Sequence, residues 1–370
     1  MASIEDVARA TGVSTATVSR ALRGLASVAE PTRARVQLAA QSLGYVPSAA
    51  AASLASGRTK AIGLLTPHVS RWFFAVCIET VEAVLRTHGY DVLLIQLPPG
   101  GRTTPGPARA LPPSRPMLNP DLLRKRVDAT IVLTLPLLPD EVLVLQQLGH
   151  ELVHIGGVVP GLRSVGIDDV AVGRTATAHL LGLGHRDVTF VGGSLSPGDW
   201  SPPQERFRGY RQAMAEAGLP EADVVNADLT VADGRRVVRQ MLRHDRVPGA
   251  MVCASDELAI GALHELRRAG VDVPGRVSVI GVDDHPHAEL HDLTTIAQPV
   301  AEQAELGTRW LMDALRAERG TATAAATAAA PGAAPGAAPA VAVHPQVHRL
   351  PTRLVIRGST GPFDAGRHTR

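Results

Sequence analysis

The 370-residue sequence has few of the features that mark secreted, membrane or thiol-dependent proteins. Its two cysteines, Cys77 and Cys253, stand far apart in apolar stretches and indicate neither a disulfide framework nor a thiolate metal site. No apolar run approaches the roughly 18 residues that a membrane-spanning helix needs, and the amino terminus lacks the basic and apolar segments of a signal peptide. We therefore expect a cytoplasmic protein without a membrane partner.

Motifs of catalysis and of nucleotide binding are also missing. The sequence contains no Gly-x-Ser-x-Gly nucleophile motif and no Gly-x-x-x-x-Gly-Lys phosphate loop. One group has the side chains, although not a fixed geometry, for zinc: Asp283, Asp284, His285, His287 and His291. We interpret this stretch as a polar loop, with a metal site as the alternative. The prediction is a protein that is not an enzyme and uses no cofactor or metal.

Positive charge is concentrated at the amino terminus. The net charge of the whole chain is only +2, but residues 1–60 contain seven basic residues and three acidic ones. That excess suits a domain that neutralises DNA phosphates, with an ordinary solvated surface as the alternative.

Two short helices are predicted in this region. Ser3 and Asp6 form a capping-box pattern before a first helix, which Gly12 ends. Ser14 caps a second helix that buries Val18. This is the helix-turn-helix pattern, in which the second helix enters the major groove of DNA. The residues predicted to face DNA there are Ser14, Thr15, Ala16, Thr17, Ser19 and Arg20. Among them, the forked side chain of Arg20 suits a guanine edge.

A third helix and a Pro-started segment follow. Pro31 suits the first turn of the helix and Gly44 its end, and the residues predicted to pack inward are Val36, Leu38, Ala39 and Leu43. The run from Ser3 to Leu65 resembles the amino terminus of the LacI/GalR family of bacterial transcription regulators, in the register of its purine repressors. The resemblance implies a hinge helix at 47–58 that folds only on DNA. It also implies that Leu54 wedges into the minor groove.

From Ala61 onward the pattern is that of an α/β domain. Short apolar runs such as Val188–Val191 and Ala250–Cys253 alternate with longer amphipathic stretches. Strands buried on both faces with helices between them predict doubly wound parallel sheets, and more than six strands suit two sheets. A ligand is then expected at the carboxyl ends of the strands.

The resemblance extends over this region, where Glu205–Tyr210, Ala254–Ala259 and Pro351–Arg357 stand in family order. It implies a domain similar to periplasmic sugar-binding proteins, with two doubly wound subdomains, three crossovers and an effector in the cleft. The effector residues implied by the family's site are Phe73, Phe74, Thr134, Arg206, Leu229, Ser255 and Asp283.

Several of these residues have structural alternatives. Phe73 or Phe74 could belong to the core, Arg206 to a structural ion pair, and Asp283 to a turn. The family frequently has an aromatic, an asparagine, an aspartate and an arginine where this chain has Leu229, Ser255, Gly156 and Ala297. These departures weaken the case for an ordinary sugar site.

The expected organisation is a helix-turn-helix domain at 1–46, a hinge helix at 47–58, an effector-binding and dimerisation domain at 59–357, and a tail at 358–370. Within it, Leu97–Pro116 is predicted to be a loose loop, and about 321–345 an Ala/Pro/Gly-rich flexible insertion.

The predicted function is a sequence-specific DNA-binding regulator, acting as a repressor. A homodimer would bind a pseudo-palindromic operator, and a small molecule, a sugar or derivative, would modulate its affinity. The alternatives are a solute-binding protein for transport, which would use the same α/β fold, and an enzyme built on that domain.

Overall fold

A computed structural model describes residues 2–25, 27–46, 58–97, 119–135, 137, 139–193, 201–220, 224–328 and 346–364. Residues 47–57 of the predicted hinge helix, with Leu54, and nearly all of the predicted loop Leu97–Pro116 lie outside these ranges. The chain forms two compact units, Met1–Lys60 and Ala61–Arg370. No helix in the described ranges is both long and apolar enough to cross a membrane.

Within its described residues the first unit forms three helices: α1 (Ile4–Thr11), α2 (Thr15–Leu22) and α3 (Glu30–Ser42). The predicted capping box is present, since Ser3 Oγ accepts from the Asp6 amide and an Asp6 carboxylate oxygen accepts from the Ser3 amide. Gly12 ends α1 with a left-handed φ of 66°, which glycine adopts at no steric cost. Val7, Val18 and Val36, one from each helix, are fully buried between the helices.

Two residues of the third helical segment do not pack as predicted. Leu38 is 68% exposed and Leu43 is 42% exposed, so the prediction that they face inward is wrong. The buried positions of α3 are Val36 and Ala40, which are four residues apart and therefore share one face. Leu38, two residues after Val36, lies on the opposite side of the helix.

The second unit begins with a parallel six-stranded sheet. Its strands are β1 (Ala61–Thr66), β2 (Asp91–Gln96), β3 (Ala129–Leu133), β4 (Leu152–Ile155), β5 (Arg163–Gly166) and β11 (Val347–Arg349), in the order β11-β5-β4-β3-β1-β2. The helices of this subdomain are α4 (Trp72–Thr87), α5 (Pro139–Gln146) and α11 (Val300–Ala328), with a 3₁₀ turn at Pro120–Leu122. Both α4 and α11 bury apolar side chains against β1, β3 and β4.

The other subdomain is built on a second six-stranded sheet. Its strands are β6 (Val188–Val191), β7 (Val224–Val225), β8 (Ala250–Cys253), β9 (Ser278–Asp283), β10 (Thr294–Ala297) and β12 (Arg353–Val355), in the order β12-β10-β9-β8-β6-β7. Only β12 runs antiparallel among these pairings. The helices are α6 (Asp169–Gly182), α7 (Pro202–Glu216), α8 (Val231–Arg243), α9 (Asp256–Arg268) and α10 (Pro286–Leu290).

The chain passes between the subdomains three times, from β5 to α6, from β10 to α11 and from β11 to β12. Two doubly wound sheets joined by three crossovers confirm the predicted fold class. The predicted insertion is corrected in part, because α11 continues to Ala328 and so includes its first eight residues. The run of alanines there favours helix intrinsically. Residues 329–345 lie outside the described ranges.

Candidate DNA interface and ligand cleft

Local hydrogen bonds fix the position of α2. Ser14 Oγ accepts from the Thr17 amide at 3.2 Å and lies 3.0 Å from Thr17 Oγ1, so both side chains serve the helix cap. Arg33 of α3 fixes the preceding turn, because its Nη2 donates to the carbonyls of Leu25 and Val28 at 3.0 and 3.2 Å. The second helix is therefore held in a fixed position against α1 and α3.

The outer face of α2 carries Thr15, Ala16 and Arg20, which are all exposed, with Ser19 half-buried beside them. Arg9 and Arg33 are paired with Asp6 and Glu30 at 3.1 and 2.7 Å. Within residues 2–25 and 27–46, the Arg20 guanidinium has no hydrogen-bond or ion-pair partner. Six of the seven predicted DNA-facing residues thus lie on α2 or at its cap. Leu54 lies outside the described residues, and its role stays a prediction.

Phe73 and Thr134 meet at the carboxyl ends of the strands in the first subdomain. Thr134 follows β3 with a φ of 44°, and Phe73 is the second residue of α4. Both touch Gly156, where an added Cβ would lie 2.5 Å from Thr134 Oγ1 and 2.8 Å from the Phe73 ring. An aspartate at 156 would not fit this arrangement. Phe74 packs edge-on against Phe73 at 5.3 Å and also against His68.

Arg206 is held in a buried ion pair in the second subdomain. It is 5% exposed, and its Nε donates to Asp169 Oδ1 at 2.9 Å while its Nη1 donates to the Ala254 carbonyl at 2.6 Å. Burial raises the pKa of Asp169 to about 6, although Arg206 opposes that rise. The close approach of α6 and α7 makes this pair possible, since a Cβ on Gly173 would collide with the Arg206 carbonyl. The structural ion pair foreseen for Arg206 is therefore present.

Two further predicted residues have structural roles. Ser255 caps α9 through the Leu258 amide at 3.4 Å. Leu229 packs against apolar clusters of the second subdomain, close to Gly192.

Asp283 lies at the end of β9 with a backbone φ of 133°, a value that residues other than glycine rarely adopt. Its carboxylate accepts from Gln298 Nε2 at 2.5 Å and lies 4.0 Å from Arg206 Nη1. Burial raises the pKa of Asp283, with Arg206 acting against it. Burial also raises the pKa of the neighbouring Asp256. Carboxyl groups whose pKa is raised in this way gain from a ligand that supplies positive charge or hydrogen-bond donors.

A cavity of about 440 Å³ opens beside Asp283, between the subdomains. It is lined by Trp72, Val76, Asp283, Asp284, Ala297, Gln298, Pro299, Val300, Ala301, Glu302, Pro351 and Arg353. Two of the three crossovers contribute to this lining. The volume lies in the range of small-molecule sites.

Of the seven predicted effector residues, Asp283 alone lines this cavity in the described part of the chain. The sequence reasoning missed Trp72, Gln298 and the crossover after β10. One signal was available for Trp72, because it is the first residue of the helix that follows β1. The described residues contain no group of three or more His, Cys, Asp or Glu side chains that could hold a metal.

Two family models match the chain. The model described as "Bacterial regulatory proteins, lacI family" matches residues 3–48, and the model described as "Periplasmic binding protein-like domain" matches residues 177–333. The transcriptional regulator RegA of Clostridium saccharobutylicum is 31% identical, over 85% of this chain and 92% of its own length. These matches cover both units of the chain.

Solved structures are similar in fold. A complex of the transcriptional regulator CelR with cellobiose has 26% identity and a TM-score of 0.62, covering 97% of this chain and 100% of that one. The Lac repressor dimer bound to operator and the anti-inducer ONPF has 22% identity and a TM-score of 0.76, covering 97% and 99%.

Proposed function

The chain belongs to the LacI family of bacterial regulatory proteins, and we propose that it is a repressor which binds a pseudo-palindromic operator as a homodimer. Its named relatives are transcriptional regulators, so the chain is a regulator and not an enzyme. A sugar or sugar derivative, bound between the two subdomains, would set its operator affinity. It would act in the cytoplasm, where the operator is.

The exposed face of α2 is the observation that supports DNA binding most directly. A helix docked in the major groove reads bases through short side chains near its start and one long donor. Thr15 and Ala16 are the short residues, and Arg20 is the long donor, which has no internal partner among the described residues of its unit. One such unit makes too few contacts for specificity, whereas two related by a two-fold axis read a palindrome.

The cavity beside Asp283 supports ligand control. It is lined by both subdomains and by two crossovers, so a molecule bound there favours one relative position of the subdomains. The likeness to a regulator solved with cellobiose favours a carbohydrate. Residues 47–58 would transmit the change as a hinge helix, with Leu54 in the minor groove.

A gel-shift assay tests the DNA-binding role. A palindromic operator duplex, selected from random sequence, should be retained at physiological salt, while a scrambled duplex should not. Arg20→Ala should cost ~1–3 kcal/mol and relax the base preference at one position in each half-site. Arg86→Ala removes an exposed arginine that pairs with Glu82 in the other unit, and serves as the charge-matched control. Equal retention of both duplexes by the wild type would refute the proposal.

Ligand control has its own test. Asp283→Ala should abolish the response of operator affinity to the ligand while basal operator binding is kept. An unchanged response in that variant would move the ligand to another site.

A further inference from the structure

The cavity between the subdomains is lined by more acid than base. Its lining includes the carboxylates of Asp283, Asp284 and Glu302 but one guanidinium, that of Arg353. Ring and amide groups supply the other polar atoms, chiefly Trp72 and Gln298. The charge balance therefore depends on the groups behind this lining.

The two arginines behind the lining are already shared. Arg357 donates to Asp284 at 2.8 Å, which offsets that carboxylate. Arg206 is 4.0 Å from Asp283 but closer to Asp169, at 2.9 Å, so one guanidinium serves two carboxylates. Asp283 is thus only partly neutralised by the protein.

One further carboxyl group lies beneath the cavity. Asp256 accepts from Thr295 Oγ1 at 2.7 Å and from the His285 amide at 2.9 Å, and it has no arginine within ion-pair distance in the described ranges. Five carboxyl groups, with Asp169 included, then face three guanidinium groups, so two negative charges are uncompensated when all are ionised. The charge of Glu257 also raises the pKa of Asp283, but Arg71 lies close enough to Glu257 to offset that charge.

The raised pKa values agree with this count. Burial raises the pKa of Asp256, and the nearby charge of Asp283 raises it further. His285 does not supply the missing charge, because burial lowers its pKa. A buried excess of negative charge is costly unless a proton or a bound cation reduces it.

An aromatic ring forms one side of the same cavity. Trp72 begins α4, and its ring packs at 5.2 Å from that of His285, so its position is fixed from the opposite subdomain. The face of an indole attracts cations, and it does so most strongly where water is excluded. Trp72 with Asp283 and Glu302 therefore forms the surroundings that suit an ammonium group.

We propose that the ligand of this cavity is a sugar derivative that carries a protonated amine and no phosphate or carboxylate. The inference rests on the proposed function and names the ligand class of that same site. The ammonium would lie between the Trp72 ring and the carboxylates of Asp283 and Glu302, while the ring hydroxyls would reach Gln298. A phosphorylated sugar would add negative charge where the protein already has an excess.

Isothermal titration calorimetry on the full chain tests the ligand class with matched sugars. The sets are glucosamine, glucose and glucose 6-phosphate; the same three forms of galactose; and the amine-bearing disaccharide chitobiosamine with cellobiose. In at least one set the amine should bind about tenfold more tightly than the hydroxyl form, because a charge-assisted hydrogen bond and a cation–π contact are added. The phosphates should show no binding. Equal affinity for amine and hydroxyl forms, tighter binding of a phosphate, or no binding of any amine would overturn the inference.

Two variants connect the preference to the cavity. Glu302→Gln and Asp284→Asn should each reduce the ratio of amine to hydroxyl affinity. Glu305→Gln, one turn further along α11 and paired with Arg309 away from this cavity, should leave the ratio unchanged. An equal change in all three variants would also overturn the inference. Operator retention measured without sugar separates the two proposals, since its loss removes the proposed function whatever the sugars do.

Discussion

The ion pair between Asp169 and Arg206 provides the sharpest test of how the second subdomain is held together. Asp169 begins α6 and Arg206 lies in α7, and their side chains are only 5% and 7% exposed. In Asp169→Asn the shape of the side chain is nearly kept, but the charge opposite Arg206 is lost. The guanidinium then remains buried with the Ala254 carbonyl at 2.6 Å and Asp283 at 4.0 Å.

The expected cost is about 3 kcal/mol of unfolding free energy. Removing one partner of a buried ion pair typically costs roughly 3–5 kcal/mol, because the other charge stays buried without compensation. The lower end applies here, since a carbonyl and a second carboxylate still face Arg206. Replacing both partners, as in Asp169→Asn with Arg206→Met, should recover about half of the loss, because no unpaired charge is then left.

Urea unfolding followed by tryptophan fluorescence measures this cost. The three tryptophans, Trp72, Trp200 and Trp310, all lie in the α/β unit, so the signal reports that unit and not the helix-turn-helix. Arg174→Ala is the matched control, because Arg174 pairs with Glu216 between the same two helices but in solvent, at 55% and 56% exposure. Its midpoint should not change measurably. Equal losses in the control and in Asp169→Asn, or no recovery in the double variant, would refute the reasoning.

Three other outcomes are expected. Leu54→Ala should weaken retention of the operator in the gel shift but spare salt-sensitive binding to random duplex; equal loss of both would make the hinge a passive tether. Gly156→Ala should lower thermal stability by ~1–3 kcal/mol more than Gly161→Ala, because both have φ near 80–90° but only the first meets Thr134 and Phe73; equal losses would show that Thr134 and Phe73 move aside without cost. Hydrogen bonds from Arg239 above all, then Arg268 and Arg235, lower the pKa of Glu265 from 4.5 to about 2. Because the pKa of Glu265 is lower in the folded state, its ionised form adds stability that is present above pH 4.5 and is lost as the pH falls towards about 2. The difference in urea midpoint between wild type and Glu265→Gln should therefore be largest above pH 4.5 and vanish near pH 2.

Local patterns predicted the elements well. The predicted strands Val188–Val191 and Ala250–Cys253 have the same bounds in the structure. The caps at Ser3 and Ser14 are the short-range signals from which the helix starts were predicted. Such signals depend on residues within one or two turns, which the sequence displays directly.

The cavity was less predictable because it depends on pairs that are distant in the sequence. The Asp169–Arg206 pair joins two helices, and the contact of Gln298 with Asp283 joins a crossover to a strand end. No periodicity shows such pairs. The prediction for Leu38 was wrong for a different reason. Its apolar side chain was taken as buried, although its position on the outer face of α3 leaves it exposed.

The three crossovers leave from the same edge of each sheet, at β5 and β11 in one and at β10 and β12 in the other. Two bodies tied by three short segments along one edge resist sliding, and the motion of least cost is a rotation about an axis near that edge. The opposite edge of the first sheet, β2, lies four strand spacings from β5, or about 19 Å. A rotation of about 10° would therefore move β2 by about 3 Å while the cavity wall, close to the axis, moves far less. A small displacement caused by a molecule bound at Asp283, close to the axis, is therefore accompanied by a larger displacement at β2.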